Sequence, residues 1–411
     1  MKEISLDTAV TSGSIELGRG NIISSKDVAN KPGDYPIYSS SAQGKGEFGR
    51  YADFMFDEEL ITWSVDGGGR FFFRPKHKFS VTNVSGYMRI KDDAWNKKYV
   101  YYSLDFQHAS QAFDYQTKAH PSVIRHIYKL KKFDTNEQSK IAEVLATVDQ
   151  AIEQTEALIA KQQRIKTGLM QDLLTRGIDE HGQLRTEQTH AFKDSPLGRI
   201  PVEWEVASLG SVADVSAGIT LGKTHEGPDT VELPYLRVAN VQDGFLDLSE
   251  LKTIRIPKNH LEKYALEVGD VLMNEGGDFD KLGRGAVWEG QVPVCMHQNH
   301  VFKVRPHKNK LAPDFLAAVS ASPYGKSFFM MASKQSTNLA SINSTQLKSF
   351  PLPLPSHDEQ IRIQNHFKRL DGALQGSQAE LKKQKSLKTA LMQDLLTGRK
   401  RVTDLLEPVA A

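Results

Sequence analysis

The sequence has a single cysteine, Cys295, among 411 residues. One thiol excludes a disulfide framework within the chain and any zinc site built from cysteines, and it suits a reducing cytoplasm. No run reaches the about 18 consecutive apolar residues that a membrane-spanning helix requires. No apolar segment follows Met1, Lys2 and Glu3 either, so the sequence predicts no signal peptide. We therefore expect a cytoplasmic protein that does not enter a membrane.

An excess of charge of one sign is also missing. The chain carries 52 Lys and Arg against 50 Asp and Glu, a net charge of +2. Such a balance excludes a global positive field directed at nucleic acid, so any basic surface must be local. The length exceeds what one hydrophobic core supports, which predicts two or more domains.

Motifs that carry catalysis or metal binding are absent from the sequence. It contains no H-E-x-x-H and no Asn/Asp-Pro-Pro-Tyr stretch of the kind found in amino-methyltransferases. His297 and His300 lie three residues apart with no acidic neighbour in sequence, and Gly67–Gly69 and Gly276–Gly277 are too short to define a cofactor loop. We expect no catalytic residue, metal or cofactor.

One stretch imitates a phosphate-binding loop. Residues 217–224 (AGITLGKT) carry Ala217 where the motif requires its first glycine. The motif also needs a helix to follow, so that backbone N–H groups face the phosphate, and Pro228 and Gly227 break a helix there. We expect a turn at this position. A nucleotide-binding enzyme that uses residues 217–224 remains an alternative function.

What the chain does contain is one long segment in two copies. Lys166–Thr175 (KTGLMQDLLT) recurs as Lys388–Thr397 (KTALMQDLLT), 222 residues later, with nine of ten positions identical. The offset continues backwards without a gap, so that Glu137-Gln138 corresponds to Glu359-Gln360. A repeat of this length determines how the rest of the chain is interpreted.

Both copies have a seven-residue periodicity. Ten seam positions occur in each copy at alternating spacings of three and four, and seven of the ten are apolar. A period near 3.5 over five heptads predicts a coiled coil with left-handed supercoiling. The apolar seam residues, which we expect to pair the helices, are Ile141, Leu145, Val148, Ile152, Ile159, Leu169 and Leu173 in the first copy, and Ile363, Phe367, Leu370, Leu374, Leu381, Leu391 and Leu395 in the second.

The helix ends carry matching signals. Asp134 and Ser356 are followed three residues later by Glu137 and Glu359, as in a capping box. Gly177 and Gly398 follow the last heptads. These signals divide the chain into a first domain (1–132), a first helix (133–177), a linker (178–197), a second domain (198–355), a second helix (356–399) and a tail (400–411).

The two globular modules also resemble each other. Three short matches occur in the same order: Ser12–Arg19 with Ser216–Lys223, Tyr35–Tyr38 with Leu233–Leu236, and Glu59–Ile61 with Asp270–Leu272. The sequence therefore predicts an α+β protein with two β-rich domains on two long helices, built as an internal repeat. The modules have diverged where the helices have not, which indicates variable recognition domains on a common frame.

Local clusters of basic, aromatic and amide residues occur in both modules. The segment Arg70–Lys78 (RFFFRPKHK) combines four firm positive charges with three phenylalanines. Arginine, lysine, asparagine and glutamine are the side chains that contact base edges and phosphates, so we expect these clusters to bind DNA. The candidate DNA-binding residues are Arg19, Tyr38, Arg70, Arg74, Lys76, Lys78, Lys118, His120, Lys223, Arg237, Asn274, Lys281, Arg284, His297, Gln298, Lys334 and Asn338.

Along its whole length, the sequence resembles the specificity subunit of type I restriction–modification systems. The resemblance rests on the helix ends Leu169–Thr175 and Leu391–Gly398, the entry Leu197–Trp204 (LGRIPVEW), and the junction Leu347–Pro355 before Glu359-Gln360. It implies two target-recognition domains, each reading half of a split DNA sequence, on helices that pair antiparallel. The first module departs from the pattern because it lacks the Ile-Pro-x-x-Trp entry.

The resemblance also implies partners. The helices of that family dock methyltransferase subunits, expected here in two copies, and through them motor–nuclease subunits, while the specificity chain itself performs no chemistry. A coiled-coil scaffold that binds other proteins remains a second alternative.

Overall fold

The computed structural model describes residues 2–40, 46–66, 70–111, 113, 118–222, 226–277, 282–335 and 340–405. The chain forms two compact units: Met1–Ala157 with Gln378–Ala411, and Leu158–Ser377. Each long helix therefore contributes one half to each unit. The lysine and asparagine candidates Lys223, Lys281 and Asn338 lie outside the described residues.

The module of the first unit contains eight strands and four short helices among its described residues, followed by the first long helix. The strands are β1 (Lys2–Ser5), β2 (Ile15–Arg19), β3 (Tyr35–Tyr38), β4 (Glu47–Tyr51), β5 (Phe56–Ser64), β6 (Phe71–Val81), β7 (Ser85–Ile90) and β8 (Lys129–Lys132). The helices are α1 (Leu6–Thr11), α2 (Ser25–Asn30), α3 (Lys97–His108), α4 (Pro121–Ile127) and α5 (Thr135–Thr175).

Six of these strands form one sheet in the order β2-β7-β5-β6-β3-β4. Neighbours are antiparallel except β3 and β6, which pair in parallel. Because side chains alternate between the faces of a strand, Ile61 and Trp63 face a core shared with α1, α3, α4 and α5. Leu60 belongs instead to a smaller apolar cluster with Phe56 and Phe79. The sheet thus has one face packed on helices, which includes Phe71 and Phe73 of β6, and a second face that carries Phe79 and the pair of Arg74 and Tyr38.

The second unit contains fourteen strands and five short helices among its described residues, followed by the second long helix. The strands are β9 (Phe192–Ser195), β10 (Gly198–Pro201), β11 (Glu205–Ser208), β12 (Ala213–Ala217), β13 (Thr230–Leu236), β14 (Lys252–Pro257), β15 (Val271–Asn274), β16 (Gly276–Gly277), β17 (Gly285–Val287), β18 (Met296–His297), β19 (Val301–Pro306), β20 (Lys334–Gln335), β21 (Ala340–Ser341) and β22 (Pro351–Leu354). The helices are α6 (Leu209–Val212), α7 (Leu261–Tyr264), α8 (Pro313–Ala321), α9 (Pro323–Ala332), α10 (Ser344–Lys348) and α11 (His357–Leu396). One-turn 3-10 helices lie at Val238–Asn240, Lys258–His260 and Thr403–Leu405.

The strand order of the six-stranded sheet recurs in the second module, where it is divided between two sheets. These two sheets have the strand orders β12-β19-β15-β17 and β14-β13-β18. In the first module Leu17 and Ile61 both pair with Met88. In the second, Val215 and Val271 both pair with Val304. These two sets of three residues are therefore structural equivalents.

This register tests the three sequence matches between the modules. Tyr38 and Leu236 accept equivalent backbone hydrogen bonds of 2.9 Å from Thr82 and Gln298, so the Tyr35–Tyr38 match is confirmed. The first match is wrong, because Leu17 corresponds to Val215 rather than to Leu221. The third is shifted by one residue, because Ile61 corresponds to Val271 rather than to Leu272.

The two long helices pair antiparallel within each unit. The beginning of α5 packs against the end of α11 in the first unit, and the end of α5 against the beginning of α11 in the second. Every one of the ten seam positions in each helix is buried or half-buried, whereas most other positions are exposed. The apolar residues of the heptads therefore form the helix–helix contact, as knobs at a and d positions do in a coiled coil.

Polar seam residues make the same contact once in each unit. Lys388 forms an ion pair of 2.7 Å with Asp149 in the first unit. Lys166, the equivalent lysine, forms an ion pair with Asp371, the equivalent aspartate, in the second unit. A shift of one heptad in either direction would place Gln364 or Gln378 opposite Lys166, so the two ion pairs together favour the observed alignment of the helices.

A buried glutamine fastens each long helix to its own module. Gln138 accepts a hydrogen bond from the backbone N–H of Asn96 at 2.9 Å and donates to the carbonyls of Ala94 and Phe133. Gln360 makes the same three bonds in the second unit, accepting from Ala312 and donating to two carbonyls. Both side chains are fully enclosed. Since an unsatisfied buried amide is costly, this position accepts little besides glutamine.

The neighbouring glutamates do not close the capping boxes that the sequence predicts. Ser356 does cap its helix, with the Glu359 N–H at 3.3 Å from its Oγ. The Glu359 carboxylate, however, binds Arg185 at 2.5 Å, and Glu137 binds Arg401 at 2.5 Å. Each arginine follows the end of one long helix and pairs with the glutamate that begins the other.

The segment predicted as a linker is therefore tied into the second unit. Arg185 and Ile178 contact Glu359, which also accepts a hydrogen bond of 3.1 Å from the Trp204 indole. Gly177 ends α5 at φ +63°, and a Cβ there would lie 2.1 Å from the Glu359 carboxylate and 2.3 Å from the Trp204 ring. Only glycine satisfies both the left-handed conformation and this close approach.

We expect replacement of Arg185 by methionine to destabilise the protein by ~3–5 kcal/mol, because it leaves the Glu359 carboxylate charged in the interior. Arg401→Met is the matched control. We expect a smaller loss there, because the Arg401 side chain is 46% exposed and water can replace it. Urea unfolding followed by circular dichroism measures both. An Arg185→Met protein with an unchanged midpoint would contradict the role assigned to the pair.

Candidate nucleic-acid interface

In the first module the candidate residues concentrate on β6. Arg70 precedes the strand and is exposed, and Lys76 is exposed in its middle. The Lys78 ammonium lies 4.7 Å from the centroid of the Phe54 ring and 5.4 Å from that of Tyr35. Arg70 and Lys78 thus lie beside aromatic rings, and Lys76 adds an exposed cation between them in sequence, an arrangement suited to phosphates and base faces.

Arg74 lies deeper in the same sheet. Its guanidinium is 3.5 Å from the Tyr38 ring centroid and 4.6 Å from that of Phe72, and its Nε donates to Thr62 Oγ1 at 2.9 Å. The side chain is 4% exposed. Burial lowers its pKa to about 10, so the group stays charged at neutral pH. Arg74 thus orders the aromatic side chains around it.

The remaining candidates of the first module have local partners. Lys118 pairs with Asp66 at 2.9 Å. The His120 ring caps α4, and the Arg19 guanidinium donates to the carbonyl of Asn83. Tyr38 Oη lies 3.1 Å from His77 Nε2. Of these side chains only Arg19 is largely exposed.

In the second module a hairpin brings Arg284 next to residues that the sequence did not indicate. Val241 and Leu246 form a β-bridge around a turn at Asp243 and Gly244. Arg284 Nη1 donates to Gln242 Oε1 at 3.2 Å, and its Nε is 3.8 Å from Asp243. Asp-Gly is a hairpin signal, and Lys326 joins Asp243 at 3.4 Å. That dipeptide was the available sequence clue to the hairpin that carries Gln242, whereas no local signal indicated Lys326.

Two of the candidates of the second module lie in the interior. Asn274 is fully buried and its amide donates to the carbonyl of Val241 at 3.2 Å. His297 is fully buried and its Nδ1 donates to the carbonyl of Val301 at 2.7 Å. The structure therefore leaves neither side chain accessible to DNA. Burial also raises the pKa of the Cys295 thiol to about 11.

The other candidates of the second module vary in exposure. Arg237 donates to Glu250 at 3.3 Å. Lys334 is exposed and Gln298 is half-buried. Among the residues that the structure describes, no group of three or more His, Cys, Asp and Glu could hold a metal. Within that same part of the chain, none of the helices combines the length and apolar character needed to cross a bilayer.

The chain matches one protein family over two segments. Residues 15–162 and 201–384 match the family described as "Type I restriction modification DNA specificity domain". These segments cover more than half of the chain, so the protein belongs to this family. The resemblance inferred from the helix ends and the entry to the second module is confirmed.

Relatives and solved structures agree with this assignment. A putative type I restriction enzyme MjaX specificity subunit of Methanocaldococcus jannaschii is 28% identical over 207 residues, which are 50% of this chain and 48% of that protein. The MjaVIII specificity subunit of the same organism is 26% identical over 359 residues, 84% of this chain and 80% of that protein. The chain thus spans about half the length of the first relative. The crystal structure of a type I restriction–modification S subunit from M. genitalium has the same fold, with a TM-score of 0.61, 16% identity and 96% of both chains covered.

The burial of His297 predicts a pH dependence of stability. Its Nδ1 carries the proton donated to Val301, so protonation would charge Nε2 in the interior, and burial lowers the pKa to about 4. A histidine in the unfolded chain has a pKa of about 6.5. The stabilisation is therefore complete above pH 6.5 and is lost as the pH falls towards 4, by about 3 kcal/mol in total.

The free energy of unfolding, measured with urea at pH values between about 7 and 4, tests this dependence. We expect His297→Gln to remove most of this part of the pH dependence, whatever its effect on stability at pH 7. A variant with the same slope as the wild-type protein would show that other groups cause the loss.

Proposed function

We propose that the protein is the DNA-binding specificity subunit of a type I restriction–modification complex, in which each module binds one half of a bipartite DNA target. The observation that supports this most directly is the contrast between frame and modules. The Asp–Lys, Glu–Arg and glutamine contacts of the long helices occur in the same form in both units. The polar residues on the two modules differ.

The different surfaces suit the reading of different bases. The first module presents Arg70, Lys76 and Lys78 along a strand lined by aromatic rings. The second places the half-buried Arg284 beside Gln242 and Asp243 of a hairpin. Since sequence is read by side chains that contact base edges, two such surfaces would select two unrelated half-sites. The net charge of +2 is compatible with this, because both basic surfaces are local.

The outer faces of the helices support docking of methyltransferase subunits. Ile165 and Leu387 occupy equivalent positions of the repeat, outside the seam, and are 47% and 49% exposed. Leu158 is 47% exposed as well. Apolar side chains on an outward helix face favour a protein partner. Because Ile165 and Leu387 are related by the repeat, we propose two copies of the partner, which in turn hold the motor–nuclease subunits. The chain supplies recognition and its partners supply the chemistry.

The phosphate-loop alternative gains no support from residues 217–222, which are described. Ile219 forms a parallel β-bridge with Gln298. A Cβ on Gly218 would lie 2.0 Å from the carbonyl oxygen of His297. This glycine therefore serves close packing between strands. Gly20 has the same role in the first module, where a Cβ would lie 1.9 Å from the carbonyl of Val81.

Exchange of one module tests the proposal. We expect replacement of residues 1–130 by a foreign recognition domain to change one half of the methylated sequence and leave the other intact, because the second module keeps all its own contacts. The measurement is genome-wide mapping of methylated sites in cells that express the chimera with the methyltransferase subunit. Exchange of residues 205–350 is the reciprocal control. A change in both halves after either exchange would refute independent reading.

A further inference from the structure

The strand registers place one arginine at the same position in both modules. Phe71 pairs with Trp63 at the start of β6, and Gly285 pairs with Met273 at the start of β17. Trp63 and Met273 are themselves equivalent, because each lies two residues beyond the pair Ile61 and Val271 described above. The residues that directly precede these strands are Arg70 and Arg284. Their sequence contexts, RFFFR and RGAVW, share nothing that would have aligned them.

Buried polar side chains support the strand end in front of each arginine. Ser64 and Asn274 are the equivalent last residues of β5 and β15, and both are almost fully buried. Ser64 Oγ donates to the carbonyl of Asp66 at 2.6 Å, and the Asn274 amide donates to the carbonyl of Val241. The Ser64 bond holds the residues that follow β5, and the Asn274 bond holds the start of the hairpin at Val241 against the end of β15. The buried Asn274 thus stabilises the backbone on which Arg284 lies.

The backbone before Arg284 is fixed by packing. Gly283 has φ +63°, and a Cβ there would lie 2.1 Å from the Phe329 ring. The Asn274 N–H donates to the carbonyl of Arg284 at 3.1 Å. The Arg284 side chain is 16% exposed and contacts Gln242 and Asp243 of the hairpin. The guanidinium is therefore held in one orientation at the edge of the sheet, which is what bidentate recognition requires.

Arg70 precedes its strand at the equivalent backbone position, but its side chain is more exposed than that of Arg284. It is exposed, and the nearest ring is Phe72, whose centroid is 5.8 Å from the guanidinium carbon. Each module therefore has an arginine at the equivalent backbone position. The arginine side chain is held by neighbouring residues in the second module and is exposed in the first. A pairing of this kind is expected when duplicated domains retain one contact while the rest of the surface diverges.

We propose that Arg70 and Arg284 are equivalent base-reading residues, each contacting the acceptor edge of a guanine in the half-site bound by its own module. This inference rests on the proposed function. Arginine is the side chain that best matches the paired O6 and N7 acceptors of guanine, because its fork donates two parallel hydrogen bonds. Lysine keeps the charge and loses the fork, so the two residues differ at a base edge and not at a phosphate.

The test compares alanine and lysine variants at both positions. Full-length chain, co-purified with its methyltransferase subunits, selects sites from randomised duplex DNA, and sequencing gives the preference at every base pair. We expect Arg284→Ala and Arg284→Lys each to reduce the preference for guanine at one position of one half-site by about 5- to 140-fold. Arg70→Ala and Arg70→Lys should do the same in the other half-site.

The unaffected half-site shows in the same molecule that each variant is folded. Arg199→Ala serves as a charge control, because Arg199 pairs with Glu187 at 2.7 Å outside both surfaces. Full rescue by lysine, with uniform weakening by alanine, would identify a phosphate contact and overturn the proposal. Unchanged preferences in the alanine variants would overturn it too. If the wild-type chain selected no bipartite sequence, the proposed function itself would fail.

Discussion

The antiparallel pairing of two helices that share the same heptad positions is the constraint on which the rest of this structure depends. When a helix pairs antiparallel with a repeat of itself, a contact between residues that the repeat retains occurs at both ends. Asp149 with Lys388 and Lys166 with Asp371 show this directly. The lysines that interrupt the apolar seam select the register, because burying an unpaired charge there would be costly. One sequence repeat is thereby converted into two equivalent units.

The modules are free to diverge because their attachment to this frame is concentrated in few residues. Gln138 and Gln360 satisfy three backbone groups each, and Glu137 and Glu359 bind the arginines that follow the opposite helix ends. None of these contacts involves the second face of the sheet in the first module or the hairpin of Gln242 in the second. Substitutions on those surfaces can change what is bound without loosening the helix start.

The sequence predicted the features that depend on periodicity and local signals. The sequence signals placed both helices to within three residues at each described end, and Gly177 and Gly398 follow them with positive φ. Contacts between distant residues were not predictable in this way. Nothing near Arg185 or Arg401 indicates that they bind glutamates far away in the chain. Likewise, polarity alone could not show that Asn274 and His297 face the interior, or that loops of unequal length bring Arg70 and Arg284 to one position.

We propose that the length of the paired helices determines the length of the unread spacer between the two half-sites, each read by one module. Inserting one heptad after Leu158 and one after Glu380, at the boundary of the two units, keeps the seam in phase and lengthens the frame by about 10 Å. We predict an unread spacer longer by about three base pairs, since each base pair occupies ~3.4 Å of the duplex. Sequencing of methylated DNA from cells expressing the complex measures it, and four-residue insertions, which break the seam, should abolish activity. An unchanged spacer at undiminished activity would contradict the account.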